Sequence, residues 1–286
     1  MPFSSSDAYH QYAHNVLHKL RYMHEESVRD FLRAVQETSA TRLQTVPSGK
    51  VLWRAQKGCS HRLENQGQAE EFQVECALEP ERMKPLAEKV TDGRVNPRGI
   101  AYLYLATDQN TACAEVRPWL RSYISLGQFR TNRDLRIVDC TSDQKKWSFK
   151  AFNAEDISII PWEPHEYESV VWGDIGYAMS KPVTPEDSSL SYVPTQIIAE
   201  SLRHHRADGI AYRSLVTEEG GNIALFDIGD ADLVACGLWE TKTIQFTFDA
   251  CDNPYFVRQS NVAPQGKKKS NGRSLEGECK LREHVG

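Results

Sequence analysis

The stretch NPRGIAYLYLATDQNTACAEVRP, residues 96–118, reads as a strand, a turn and a helix in direct succession. Ile100 to Ala106 carry aromatic and branched side chains between Gly99 and the pair Thr107-Asp108, the pattern of a strand. Thr107 or Asp108 offers an oxygen to cap a helix running to about Arg117, where Pro118 disturbs it. Alternate side chains of a strand share a face, so Tyr102 and Tyr104 point the same way. Glu115 lies in the helix that follows, and a strand–turn–helix unit can bring it to the wall of the same cleft.

Working outward, further strands are expected at 134–140, 157–161, 209–213, 222–228 and 243–249, and a helix at 194–206 with Pro194 in its first turn. Upstream, the apolar run Val51-Leu52-Trp53 leads into Arg54. Residues 56–98 form a polar excursion with a short helix near 80–89. Residues 7 to about 38 read as one helix, because Val16, Leu17, Leu20, Met23, Val28, Phe31, Leu32 and Val35 recur at three- and four-residue steps with no Pro or Gly between them. Pro47-Ser48-Gly49 ends that pattern. The strands carry mixed connections rather than regular βα alternation, which predicts an α+β fold. Three regions follow: an N-terminal helical extension over 1–46, a main domain over 47–258, and a basic tail over 259–286 that contains GKKKSNGR and reads as disordered.

The chain has 286 residues, long enough to bury a full core without a disulfide or metal staple. Its 34 Lys+Arg against 39 Asp+Glu leave a formal charge of −5, a poor basis for binding nucleic acid. No run of eighteen apolar residues exists, and the start MPFSSSDAYHQYAHN is no secretory signal, so the expected location is the cytoplasm, away from any membrane. The seven cysteines are scattered without a CxxC, against structural zinc and a disulfide framework. His10, His14 and His18 share one helix face, but no carboxylate of a metalloprotease pattern lies between them, and a polar face is the simpler reading; no metal is expected. The usual glycine-rich phosphate loops are absent.

Four stretches stand out: LWRA at 52–55, residues 93–118, PTQIIAESLRHHRADGIAYRS at 194–214, and GGNIALF at 220–226. Arg54 and Ser214 fall beside strand ends, where polar groups are commonly aimed into a site. Arg offers a planar fork for phosphate oxygens. Tyr offers a face for a cationic ring. Glu can face a positive sugar transition state, and Ser can bond a hydroxyl or phosphate. Together these demands describe NAD⁺, although the same residue types line many other sites.

These stretches, taken together, resemble the RES-domain family, toxins of bacterial toxin–antitoxin pairs named for an Arg, a Glu and a Ser. Arg54, Glu115 and Ser214 match those three residues in order. Tyr104 resembles the family's site tyrosine and Arg94, in GRVNP, a second site arginine. Tyr102 and Asn222 are further substrate-side candidates. The resemblance implies an ADP-ribosyltransferase-like mixed β core with flanking helices. It also implies that NAD⁺ is consumed as a substrate rather than held as a cofactor, nicotinamide being split off with inorganic phosphate as acceptor. Transfer of ADP-ribose to a protein or nucleic acid, and non-catalytic NAD⁺ binding, are the alternatives. The implied partner is an antitoxin with a helix-turn-helix domain. Homo-oligomer formation is left open. The N-terminal extension and the basic tail match no part of the family pattern.

Overall fold

The computed structural model describes residues 2–65, 72–142, 163–181 and 189–245. Helices α1 (Ala8–His18) and α2 (Glu26–Ser39) come first, followed by strands β1 (Leu43–Val46) and β2 (Val51–Lys57). Strands β3 (Ser60–Glu64) and β4 (Phe72–Cys76) form a separate hairpin. Then come the one-turn helix α3 (Pro80–Met83), β5 (Leu103–Ala106), α4 (Gln109–Glu115), β6 (Tyr123–Thr131) and β7 (Leu135–Asp139). Helices α5 (Tyr167–Ser180) and α6 (Val193–His204) precede β8 (Gly209–Arg213), β9 (Gly221–Leu225) and β10 (Ala231–Glu240). The described residues up to Ile244 form one compact unit.

Eight strands make one sheet in the order β1-β7-β8-β9-β5-β2-β6-β10. Only β7 and β8 run parallel; every other neighbouring pair is antiparallel. The fold is therefore α+β, a mixed sheet with flanking helices. Strand alternation sorts the side chains into two cores. Ile210, Tyr212 and Ala224 face the helices, meeting Val16, Phe31, Val35, Trp172, Ile175, Ile198 and Leu202. Leu103, Leu105, Ile137, Ile223 and Leu225 face the other way, with Leu52, Phe129 and Met83 of α3. A third, smaller cluster of Ala55, Ala106, Ala112, Ile124 and Leu126 seats α4 against the sheet.

The N-terminal segment departs from the expected single helix. It breaks over residues 19–25 into the antiparallel pair α1 and α2. Asn15 donates from Nδ2 to Glu25 Oε2 at 2.9 Å and pulls the chain back on itself. Leu20 and Met23, which extended the periodic pattern, are exposed. The pattern was the sum of two helices in different phase, and Tyr12 stacks on Phe31 with ring centroids 4.3 Å apart. Both helices belong to the main core: Trp172 on α5 is fully buried and donates from Nε1 to Thr38 Oγ1 at 3.0 Å.

Strands at 134–140, 209–213 and 222–228 and the helix at 194–206 form within a few residues of the expected limits. The expected strand at 157–161 and the basic tail lie outside the described residues. Residues 243–245 are not strand and the rest of the expected 243–249 segment lies outside the described residues; the last strand among the described residues is β10, which begins twelve residues earlier. Strands β6 and β10 and helix α5 have no counterpart among the expected elements. In β6 five of the first seven residues are buried, so Ser125 and Gly127 sit inside and no polar alternation marks the strand.

Candidate active site

Strand β2 pairs with β6 along its whole length, from Val51↔Arg130 to Lys57↔Ile124. Its other neighbour, β5, meets it only at Trp53↔Ala106. Beyond that point the strands part, and Arg54 occupies the fork. Its Nη1 donates to the Tyr104 carbonyl at 3.0 Å, replacing a ladder bond that β2 no longer supplies. Its Nε is buried with no hydrogen-bond partner, and among the described residues no carboxylate pairs with it. Burial pulls the guanidinium pKa down to about 10. A buried cation without a counter-charge is costly, and an anion brought to the fork recovers that cost.

Glu115 stands at the end of α4. That short helix starts on Asp108, whose Oδ1 accepts from the Thr111 backbone N at 2.8 Å. The C-terminal end of a helix disfavours an anion, so the Glu115 carboxylate is held by donors from elsewhere. Ser214 Oγ donates to Oε1 at 2.8 Å and Asn222 Nδ2 to the same oxygen at 2.6 Å. Arg94 Nη2 lies 3.7 Å from Oε2. Ser214 directly follows β8 and also accepts from Val216 N at 3.2 Å. Its hydroxyl hydrogen is thus committed to Glu115. Asn222 sits in β9 opposite both Ala106 and Tyr212, in the middle of the sheet.

Arg94 is placed by a loop folded around Asn96. Asn96 Nδ2 contacts the carbonyls of Thr91, Pro97 and Ile100 at 3.1–3.2 Å, and its Oδ1 accepts from Tyr104 Oη at 2.7 Å. Tyr104 Oη in turn accepts from Val95 N at 3.2 Å. Burial raises the Tyr104 pKa, so its hydroxyl keeps its proton. From α6, Gln196 Nε2 donates to the carbonyls of Gly93 at 2.9 Å and Asn96 at 3.0 Å, and Thr195 Oγ1 donates to that of Arg94. Gly93 admits no side chain: a Cβ there would stand 2.2 Å from Asn96 Oδ1 and 2.7 Å from Tyr104 Oη. The Arg94 guanidinium lies over the Tyr212 ring, 5.8 Å from its centroid, and burial pushes that phenol up to about 12.

A cleft of about 310 Å³ collects Arg54, Arg94, Tyr104, Glu115 and Asn222 in its lining, with Tyr192 and Tyr212. Ser214 lies behind Glu115 and is 5% exposed, so it reaches the cleft through the carboxylate. Tyr102 points to the helical side, as Tyr104 does, but packs on Phe226 with centroids 5.0 Å apart and lines a neighbouring chamber. Tyr192, Tyr212, Asn96 and Gln196 were not among the sequence candidates. Tyr212 and Gln196 sit inside DGIAYRS and PTQ, and strand parity relative to the end of β8 was the available signal for Tyr212. A larger cavity, about 960 Å³, opens between α1 and α2, but it gathers no comparable set of converging buried charges. Among the described residues no group of three or more His, Cys, Asp or Glu is arranged to hold a metal ion. No helix there is long and apolar enough to cross a membrane.

Residues 51–249 match the family model described as the RES domain. That span contains every residue of the cleft. Among solved structures, the crystal structure of the M. tuberculosis MbcT–MbcA toxin–antitoxin complex is similar at 13% identity over 73% of this chain and 92% of that one. The TM-score of 0.37 marks an overlap too loose to equate their details. No curated protein matches the chain.

Proposed function

This chain belongs to the RES-domain family, and we propose that it cleaves the nicotinamide–ribose bond of NAD⁺, with inorganic phosphate as acceptor, as the toxin of a toxin–antitoxin pair. The observation that carries the reading is the Arg54 cation without a counter-charge in the fork, beside a carboxylate tethered by two hydrogen bonds and flanked by Arg94 at 3.7 Å. A buried cation without a partner calls for an anionic ligand. A fixed carboxylate beside it calls for positive charge developing near an anion, and the ribose carbon of NAD⁺ offers both in one molecule.

In this mechanism Arg54 anchors the pyrophosphate, and the aromatic walls at Tyr104 and Tyr192 receive the pyridinium ring. The bond from ribose to nicotinamide breaks with its electron pair passing to the ring nitrogen. Nicotinamide leaves neutral and needs no general acid. Glu115 stabilises the oxocarbenium that remains, most strongly where water is excluded. A phosphate oxygen then bonds to the same carbon, giving ADP-ribose 1″-phosphate. Arg94 orients Glu115 from one side. Ser214 and Asn222 orient it from the other, so Ser214 acts as a positioning residue rather than as a direct ligand of ribose. Membership of the family supports the toxin role and an antitoxin partner.

The test is incubation of the purified protein with NAD⁺, with and without phosphate, and resolution of the products by mass. Phosphate-dependent appearance of nicotinamide and ADP-ribose phosphate is expected. Free ADP-ribose alone would replace phosphate by water as acceptor, and ADP-ribosylated protein or nucleic acid would replace it by a macromolecule. Intact NAD⁺ would leave only a binding role.

A further inference from the structure

A second chamber of about 310 Å³ adjoins the cleft and shares Arg54, Gly93 and Tyr104 with it. Arg54 therefore stands at the division between two compartments. The first holds the carboxylate; the second is walled by residues 82, 84–86 and 89–92 and by Gln56, Asn96 and Tyr102. Arg54 Nε, in the lining of this second chamber, is buried without a hydrogen-bond partner, whereas Tyr102, also in the lining, is engaged by the Arg203 guanidinium that lies over its ring. A ligand spanning both compartments would cross Arg54 at its middle, as a dinucleotide does with its pyrophosphate.

The charge of the second chamber exceeds what a pyrophosphate needs. Arg82, Lys84 and Lys89 line it together with Arg54. Lys84 is engaged by Asp232 at 3.3 Å. Arg82 and Lys89 have no carboxylate partner among the described residues. The one acid in the lining, Asp92, is turned to the loop: its Oδ1 accepts from Arg98 N at 3.0 Å and lies 3.5 Å from Gln196 Nε2. Three uncompensated cations in a chain of net charge −5 are a local concentration of positive charge.

We propose that this chamber receives the adenosine half of the dinucleotide and that Arg82 and Lys89 select a dinucleotide with an additional phosphate on the adenosine ribose, so that the 2′-phosphorylated form, NADP⁺, is the preferred substrate. The proposal rests on the cleavage reading above and specifies the substrate class of the same site. A phosphomonoester carries close to two negative charges near neutral pH and pairs with Arg as a fork and Lys as a point charge.

Two measurements separate the proposal from the reading beneath it. Calorimetric titration with AMP and with adenosine 2′,5′-bisphosphate tests the chamber without turnover. Nicotinamide release from NAD⁺ and NADP⁺ tests it with turnover. The bisphosphate should bind about tenfold more tightly than AMP, and kcat/KM for NADP⁺ should exceed that for NAD⁺ by a similar factor, as two partly exposed charge pairs supply. The joint substitution Arg82→Ala, Lys89→Ala should bring both ratios close to unity; both side chains are exposed, and an unchanged melting temperature checks that the variant is folded. Equal binding of the two nucleotides, or ratios that survive the substitution, would overturn the proposal while nicotinamide release from NAD⁺ leaves the cleavage reading standing. Absence of release from both dinucleotides would overturn the cleavage reading, and the nucleotide titration would still decide the chamber's preference.

Discussion

Arg54→Met should make the protein more stable and unable to bind its ligand. The guanidinium is charged in a place that lowers its pKa from 12.5 to about 10. Each unit is worth about 1.4 kcal/mol, so carrying the charge costs the fold about 3 kcal/mol. Methionine fills much of the same volume without a charge. Its introduction leaves the Tyr104 carbonyl without the 3.0 Å bond from Nη1, a loss of about 1 kcal/mol. The net expectation is a gain of about 2 kcal/mol, or roughly 4–8 °C in melting temperature for a unit of this size. Thermal melts with and without NAD⁺ at saturating concentration measure both halves. The parent should melt higher in the presence of NAD⁺; the variant should melt higher than the unliganded parent and show no response to NAD⁺. A variant that melts below the parent would mean that Arg54 has a structural counter-charge after all. A variant still shifted by NAD⁺ would remove Arg54 from the binding site.

Asp174 is buried beneath His10, whose Nε2 is 3.5 Å away, and burial with Asp7 nearby lifts its pKa to about 6, against the lowering effect of His10. The folded state therefore holds this proton more strongly than the unfolded chain does. Its stabilisation is complete below about pH 4 and is lost as pH rises to about 6, up to roughly 3 kcal/mol. Asp174→Asn should melt above the parent by a margin that grows over that interval and then levels; a margin that shrinks with rising pH contradicts the sign. Asn96→Ala removes the contacts to three carbonyls and the acceptor of Tyr104 Oη, and should cost about 3 kcal/mol in urea unfolding together with most of the turnover. Unchanged turnover in a destabilised variant would show that the loop does not set Arg94. Deleting residues 1–42 strips α1 and α2 from Trp172, Ile198 and Leu202 and should leave a chain without a cooperative melt; a soluble, cooperatively melting product would show that the two helices are dispensable.

Legibility in the sequence followed local density of signal. Residues 103–106, 135–139 and 209–213 are runs of branched and aromatic side chains between turn residues, and α6 begins with its proline in the first turn. Strand β6 was hidden because it is covered on both faces, so its interior tolerates Ser125 and Gly127 and carries no alternation. The α1–α2 break was hidden because nothing in LRYMHEE forbids helix; the turn is imposed by Asn15 and Glu25 and by the core that both helices share. The six residues Arg54, Arg94, Tyr104, Glu115, Ser214 and Asn222 stand together through contacts no local pattern encodes. Asn222 and Glu115 are 107 positions apart, and so the job of holding the carboxylate could not be read from GGNIALF. Gln196 was likewise invisible, because its partners are backbone carbonyls 100 and 103 positions away.

The most direct measurement is nicotinamide release from NAD⁺ by the parent and by Glu115→Gln, with both shown to be folded by their melting curves. Gln keeps the shape and an oxygen for Ser214 and Asn222 but carries no charge toward the ribose. Release by the parent is expected, with a fall of about 10²–10³-fold in the variant at similar affinity for NAD⁺. Equal release by the two proteins would contradict this expectation.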